Sequence, residues 1–380
     1  MRRFTVIIVL IAATTLSCIN PGKSLESVQN WNISATLDSL VAENGIPGLN
    51  MSIIDRNGVQ RNFSSGFADI ENSIKMAPGN VMFSGSIGKT YCVAGVMKLA
   101  GEGKLDLNKR FIEYFPAVEW LKKLPNIEEI TLSMLLQHTS GLPRYVMKPG
   151  VWEALNAYPD KIWTYEERLS YIFGDDPLHE AGKSWSYSDT NYILLGMLLE
   201  EITGEGYYEY ITREILKPYK LSLTFPAVRR DIPGLPTGYS RLPAMFMMPG
   251  KVVENGIYIF NPQMEWTGGG IASTTSDLAL WAKIYYDGEI IPPGYRSLII
   301  TPNSQAPVTP GGAGYGTGSF IFHTKHGKAY GHTGFVPGFN SVFAWYPDYG
   351  IAIAMQVNCD YAASKMSLVD YVDRIVDAID

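Results

Sequence analysis

The change of hydrophobic period near residue 319 is the sequence feature that most constrains the fold. From about residue 105 to 235, apolar residues recur at helical spacing between Pro- and Gly-rich loops. Beyond residue 319 the pattern becomes that of short strands, in segments 319–324, 329–332, 340–346 and 351–357. The chain starts differently again, with a helical pattern that stops at Asn44-Gly45, then a hairpin over 49–54 and 60–67. A last amphipathic helix is predicted over 361–379.

This order predicts an α/β (α+β) protein in which both ends of the chain build one antiparallel sheet with helices packed on it. The middle then forms an inserted all-helical lobe. We place the α/β lobe at about 31–85 and 265–380, and the helical lobe at about 86–264. Ligand sites tend to lie in clefts between such lobes.

Composition and charge exclude some classes of protein. Apolar residues make up 46% of the 380 residues and charged residues 18%, which supports a large core and argues against disorder. The net charge is −6 and no run of basic residues occurs. Because binding to nucleic acid requires a basic face, we do not expect a nucleic-acid partner.

The N-terminus resembles an export signal. Basic residues at positions 2 and 3 precede an apolar run over 4–13, which is too short to span a bilayer. Cys18 follows small and polar residues and is a candidate for lipidation, although Leu16 is displaced by one position from the usual lipoprotein motif. We expect a signal peptide over 1–18, a tether over 19–30, and a periplasmic, membrane-anchored or secreted protein. Simple cleavage without lipidation is the alternative.

The remaining cysteines and histidines show no metal-ligand pattern. Cys92 lies on an apolar helix face and Cys359 ends an apolar strand, so buried free thiols are favoured over a disulfide. We expect neither a metal nor an organic cofactor.

Ser86 and Lys89 form an S-x-x-K motif where a helix follows the hairpin. Residues at i and i+3 share a helix face, so the amine can reach the hydroxyl. A serine is a weak nucleophile until a base takes its proton, and a lysine in a dry site near other cations can lose its charge and act as that base. The alternative is Ser86 as a helix N-cap and Lys89 as a solvated side chain.

The stretch around this motif, FSGSIGKTYCVAGVMKLAGEGKLDL, resembles the nucleophile helix of the serine β-lactamase and penicillin-binding-protein superfamily. The resemblance is greatest to the branch that contains class C β-lactamases, DD-peptidases and related esterases. Further similar stretches follow in order and cover nearly all of the chain after the signal: ITLSMLLQHTSGLP, WSYSDTNYILLGMLLEEITG, GGGIASTTSDLALWA and YGHTGFVPGFNSVFAWYPDYG. The resemblance implies a β-lactamase/transpeptidase-like fold and catalysis by Ser86 and Lys89.

Tyr187-Ser188-Asp189 matches the family's Y-x-N motif, with aspartate in place of asparagine. The resemblance implies that Tyr187 relays protons, and nearby cations should increase its acidity. Asp189 can orient Lys89, but an ionised carboxylate cannot donate a hydrogen bond to substrate as an amide does. A half-buried Tyr187 and a helix-capping Asp189 form the alternative.

His332-Thr333-Gly334 matches the family's K-T-G position, with histidine in place of lysine. A protonated His332 would bind a substrate carboxylate, whereas a neutral one would suit neutral esters. Thr333 offers a hydroxyl, and Gly334 lets substrate lie against the strand. By family analogy, the backbone N–H groups of Ser86 and Phe335 form the oxyanion hole. A turn histidine packed on the sheet is the alternative.

Other positions are weaker candidates. His138 lies in a family loop for which we expect a structural role. Trp266, Trp152 and Tyr145 are candidates to line the cleft, although apolar packing is favoured for most aromatic residues of this kind. The loop over 243–255 is rich in Met and Pro and is a candidate lid.

These residues together predict a serine hydrolase acting through an acyl-enzyme on Ser86, on a small molecule or peptide with an electrophilic carbonyl. Because Asp189 and His332 depart from the pattern suited to β-lactams, a D-alanyl-type carboxypeptidase or an esterase is favoured. A β-lactamase, a penicillin-binding sensor without turnover, and an enzyme that transfers the acyl group to an amine or alcohol are the alternatives.

Overall fold

The computed structural model describes residues 32–241, 249–306, 313–360 and 367–379. Its helices are α1 (Ile33–Asn44), α2 (Gly88–Gly101), α3 (Leu132–Leu136), α4 (Pro149–Ala157), α5 (Tyr165–Ser170), α6 (Thr190–Thr203), α7 (Tyr207–Ile211), α8 (Thr275–Tyr286), α9 (Arg296–Ile300) and α10 (Leu368–Asp377). The predicted signal peptide, the tether and Cys18 lie outside the described residues.

The strands are β1 (Gly48–Ile54), β2 (Gln60–Asp69), β3 (Ile74–Lys75), β4 (Met82–Phe83), β5 (Thr224–Pro226), β6 (Tyr239–Arg241), β7 (Pro249–Lys251), β8 (Val253–Glu254), β9 (Ile257–Tyr258), β10 (Ile271–Ser273), β11 (Gly314–Tyr315), β12 (Phe320–Thr324), β13 (Gly327–Val336), β14 (Phe339–Tyr346) and β15 (Ile351–Val357).

Both ends of the chain form one sheet, as the pattern of the sequence predicts. Its eight strands are antiparallel in the order β11-β12-β13-β14-β15-β1-β2-β3, so β15 from the end of the chain pairs with β1 from its start. Met51 on β1 lies opposite Met355 on β15. A smaller sheet, β4-β10-β5, connects this sheet to the middle of the chain.

The two faces of the large sheet bury different helices. Ile353 and Met355 of β15 face the core that contains α1 and α10, whereas Ala352 and Ala354 face the core shared with α8 and the middle segment. Successive strand residues point to opposite faces, so a continuously apolar strand must be covered on both sides. All seven residues of β15 are accordingly buried.

The structure differs from the sequence-based boundaries in three places. Short strands β5 to β9 occur within 224–258, where we expected helices, because prolines such as Pro226 and Pro233 interrupt any helix there. Strand β13 continues past His332 to Val336, because backbone pairing with β14 does not depend on apolar side chains. The described part of the last helix begins at Leu368 with a capping box from Ser367, and residues 361–366 lie outside the described residues.

The cysteines bear on one further prediction. Cys92 is a free and buried thiol, as predicted, and Cys359 is buried. Among the described residues, none of the helices is long and apolar enough to cross a bilayer.

Candidate active site

Ser86 lies in a single 3₁₀ turn, Gly85–Ile87, directly before α2. The preceding Gly85 has φ +51°, a conformation that residues with a Cβ rarely adopt. A Cβ there would also lie 2.5 Å from the backbone nitrogen of Phe335. Glycine therefore allows the turn to pack closely against β13. This packing brings together the chain segments that carry the two backbone N–H groups proposed for the oxyanion hole, those of Ser86 and Phe335.

Lys89 is fully buried and its Nζ contacts three acceptors. It lies 3.0 Å from Ser86 Oγ, 2.7 Å from Asp189 Oδ1 and 2.6 Å from the carbonyl oxygen of Gly268. An ammonium group has three N–H donors, so this geometry satisfies the charged form. Burial lowers the pKa of Lys89, but the charge and hydrogen bond of Asp189, with the neighbouring Tyr187 and Glu265, together outweigh burial and hold the pKa above its ordinary value. The expectation of an uncharged Lys89 is therefore wrong for the resting site.

Asp189 holds two cations, one on each carboxylate oxygen. Oδ1 accepts from Lys89, while Oδ2 accepts from Arg144 Nε at 2.9 Å and from Arg144 Nη2 at 2.7 Å. Burial raises the pKa of Asp189, but Lys89 and Arg144 together hold it below its ordinary value, so the group is ionised. The predicted contact with Lys89 is present. Arg144 was missed, because a single arginine after the HTSGLP stretch carries no pattern that indicates its partner.

Tyr187 lies beside Lys89, with the ring centroid 5.0 Å from Nζ. Its hydroxyl is buried, and Ser86 and Lys89 both lie close enough to it to lower its pKa. Burial raises the pKa of Tyr187 and outweighs the opposite effect of Lys89. Lys89 thus has the predicted effect on Tyr187, but burial outweighs it, so the expected net increase in acidity is wrong and the resting phenol is neutral.

His332 is buried in the strand that borders the cleft. Its Nδ1 lies 2.6 Å from the carbonyl oxygen of Thr333, to which it must donate, and its Nε2 lies 3.2 Å from the hydroxyl of Tyr315. Burial, together with the positive charge of Lys89, lowers the pKa of His332 to about 3. The imidazole is therefore neutral near pH 7, and a protonated His332 that binds a substrate carboxylate is excluded there.

The hydrogen bonds fix the tautomers along a chain from His332 to His138. Because neutral His332 uses Nδ1–H as a donor, its Nε2 accepts a hydrogen bond from the hydroxyl of Tyr315. The oxygen of that hydroxyl must then accept a hydrogen bond from His138 Nε2–H, at 3.2 Å. His138 Nδ1 is then free to accept, and it does so from the backbone N–H of Ser188 at 3.1 Å and from Asn191 at 3.0 Å. His138 thus ties the Tyr187 loop to the sheet, which agrees with the structural role expected for it.

Three distant stretches of sequence line one cleft of about 580 Å³, as predicted. Its lining comprises Ser86, Arg144, Trp185, Tyr187, Phe320, His332, Thr333, Gly334, Phe335, Asn340, Ser341, Ser367 and Leu368.

Position 334 requires glycine, because a Cβ there would overlap the carbonyl oxygen of Ser84.

The cleft is lined by different aromatic residues from those suggested by the sequence. Tyr145, Trp152 and Trp266 are buried in the core and do not line it. Of the candidate lid, residues 243–248 lie outside the described residues, and residues 249–255 do not line the cleft.

Glu265 is a half-buried carboxylate beside the Lys89 site that the sequence did not indicate. A Cβ at Gly269 would lie 3.1 Å from its Oε2, and Gly268, which binds Lys89, lies next to it. Within the described part of the chain it has no ion pair. Burial, and next the charge of Asp189, raises the pKa of Glu265 to about 7.

The Beta-lactamase family matches residues 33–378, nearly the whole chain. The chain belongs to the β-lactamase family. Protein flp of Staphylococcus aureus (strain NCTC 8325 / PS 47) is one of its curated relatives and is 27% identical to this chain over 328 residues. That match covers 83% of this chain and 61% of the relative, so the chain spans about three-fifths of the relative's length.

Solved structures share the fold of this β-lactamase-family chain. A D-stereospecific amidohydrolase from Streptomyces sp. superposes with a TM-score of 0.77 at 24% identity, covering 91% of this chain and 97% of the other. A D-amino acid amidase from Ochrobactrum anthropi SV3 gives 0.77 at 22% identity, with 91% and 97% covered. The octameric penicillin-binding protein homologue from Pyrococcus abyssi gives 0.69 at 24% identity, with 85% and 73% covered. The β-lactamase/transpeptidase-like fold is confirmed.

Proposed function

We propose that this protein hydrolyses esters or amides through an acyl-enzyme on Ser86, and that esters are its preferred substrates. The observation that carries the proposal is the 3.0 Å contact between Lys89 Nζ and Ser86 Oγ at the wall of the cleft. This distance is within the reach needed for proton transfer between a nucleophile and its base.

The steps follow from the groups around Ser86. The small fraction of Lys89 that is neutral takes the hydroxyl proton as Ser86 Oγ attacks the substrate carbonyl. The backbone N–H groups of Ser86 and Phe335 stabilise the oxyanion, and each such donor typically contributes about 3 kcal/mol. The bond to the leaving group then breaks, and the neutral hydroxyl of Tyr187 donates the proton that the leaving group needs. The resulting phenolate takes the proton that Lys89 had received, which restores both groups. Water then attacks the acyl-enzyme carbonyl and gives one proton to neutral Lys89, and the bond to Ser86 Oγ breaks as Lys89 returns that proton to it and the acid leaves.

The neutral state of His332 supports an ester substrate. A D-alanyl peptide needs a cation to bind its terminal carboxylate, and neutral His332 does not supply one on the β13 side of the cleft. A D-alanyl carboxypeptidase is therefore the second candidate. The amidases that share the fold suggest D-amino acid amides as a third substrate class, but the positive charge of Arg144 in the cleft disfavours a substrate ammonium group.

A substrate panel on purified protein tests these assignments. It comprises a short-chain nitrophenyl ester, a D-Ala-D-Ala peptide, a D-amino acid amide and a chromogenic cephalosporin. Ser86→Ala should abolish turnover of whichever substrate is cleaved, because it removes the nucleophile. Ser84→Ala is the matched control, since Ser84 is a buried serine two positions before the half-buried Ser86 and its Oγ has no hydrogen-bond partner among the described residues. Hydrolysis that survives in Ser86→Ala would refute the acyl-enzyme.

The same panel separates the alternative functions. Rapid turnover of the cephalosporin identifies a β-lactamase, whereas a stable penicillin adduct on Ser86 without product identifies a sensor. A new ester or amide formed with an added alcohol or amine identifies acyl transfer. Export, membrane anchoring through Cys18 and the absence of a nucleic-acid partner stay predictions from the sequence.

A further inference from the structure

The charges around Asp189 leave one cation directed at the cleft. Asp189 carries one negative charge and binds two cations, Lys89 and Arg144, while His332 is neutral. Lys89 is fully buried, whereas 38% of the Arg144 side chain is exposed and it lines the cleft with Ser86. None of the described residues that line the cleft is acidic. Glu265, beside Lys89, does not line the cleft, and with a pKa of about 7 it offsets this charge only as it ionises. An anionic substrate group would therefore meet a positive charge at Arg144, most strongly below pH 7.

Arg144 also has N–H donors that its hydrogen bonds to Asp189 do not use. Its bonds to Asp189 use Nε and Nη2, and no described residue accepts a hydrogen bond from Nη1. A guanidinium has five N–H donors in a rigid plane, and fixing two of them on Asp189 orients the others. The Tyr187 ring, with its centroid 5.4 Å from the guanidinium carbon, further restricts the group.

This arrangement explains how the site accommodates aspartate at position 189. An asparagine there would offer an amide N–H to the substrate, which a carboxylate cannot do. Asp189 instead holds Arg144, and Arg144 supplies N–H donors together with a positive charge.

We propose that Arg144 is a substrate-binding residue that selects acyl donors carrying a carboxylate on the acyl side. The inference rests on the proposed function of the same cleft. Asp189 acts through Arg144 as a positioning residue. From the sequence, carboxylate binding is expected at His332 on β13, whereas we assign it to Arg144 on the opposite wall of the cleft, which the middle segment of the chain forms.

A matched pair of esters tests the proposal. 4-Nitrophenyl hydrogen adipate and 4-nitrophenyl hexanoate have the same six-carbon acyl chain and differ in a terminal carboxylate. The ratio of their kcat/KM values should fall about 10- to 100-fold in Arg144→Gln, as expected for the loss of a charge-assisted hydrogen bond. Arg144→Lys should give an intermediate ratio, because it keeps the charge and loses the planar fork. Equal losses for both esters would overturn the proposal and leave Arg144 as support for Asp189 alone.

A binding measurement separates this proposal from the acyl-enzyme mechanism. In Ser86→Ala, the adipate ester should bind more tightly than the hexanoate ester in calorimetric titration, and Arg144→Gln in that background should remove the difference. Ester hydrolysis independent of Ser86, with this binding preference intact, would refute the mechanism and not the carboxylate site. Equal binding of both esters would refute the site.

Discussion

Replacing Glu265 by glutamine should change the pH dependence of stability in a defined direction. The pKa of this carboxyl is about 7 in the folded protein and 4.5 ordinarily. Below pH 4.5 it is protonated in both states. As the pH rises from 4.5 towards 7, the unfolded chain loses the proton while the folded chain keeps it, so the free energy of unfolding falls. Above about pH 7 both states are ionised and the loss is complete.

The size of the effect follows from the same two pKa values. They differ by about 2.5 (7 minus 4.5), and each pKa unit corresponds to about 1.4 kcal/mol, which gives about 3.5 kcal/mol before solvent screening is considered. Glu265 is partly exposed, so solvent screening makes this an upper figure. Relative to Glu265→Gln, the wild type should therefore lose up to about 3 kcal/mol of stability between pH 4.5 and 7.5.

Urea unfolding of both proteins across this pH range measures the difference directly. The difference between wild type and Glu265→Gln cancels the contribution of His332, which both proteins contain. The lowered pKa of His332 has the opposite effect on stability: the free energy of unfolding falls as the pH decreases from 6.5, the ordinary pKa of histidine, towards 3. Glu201→Gln, at an exposed position on α6, controls for the loss of a carboxylate. A wild-type minus Glu265→Gln difference that stays flat, or rises with pH, would refute the buried environment assigned to Glu265.

Two further substitutions test the geometry of the site. Asp189→Asn removes the counter-ion of Lys89 and should lower the pKa of that lysine. The acidic limb of the kcat/KM profile should then move to lower pH, and an unmoved limb would contradict Lys89 as the base. Gly334→Ala places a Cβ against the carbonyl oxygen of Ser84 and should displace β13 from the Ser86 turn. We expect a lower Tm and at least a tenfold loss of kcat/KM, which corresponds to about 1.4 kcal/mol or more of lost transition-state stabilisation. Unchanged values of both Tm and kcat/KM would show that the structure relaxes around the added Cβ.

Much of the fold was accessible from the sequence because it depends on local periodicity. Strand β15 was predicted at its observed bounds, since a continuous apolar run fits a strand covered on both faces. The bounds failed where structure depends on pairing: β13 extends to Val336 because β14 lies beside it, and nothing in its own side chains requires that. Ser86, Lys89 and Tyr187 were identified from their motifs, and the structure places them together.

The sequence by itself determined which chemical groups this protein has and their order along the chain, because motif spacing and hydrophobic period are local properties. Only the tertiary structure decided their charge states. Lys89 is charged because Asp189, a hundred positions away, is 2.7 Å from it. His332 is neutral because the fold buries it, and Arg144 lies at the cleft because Asp189 binds it. Electrostatic energies depend on distance and burial, and these are set by residues that the chain brings together only on folding.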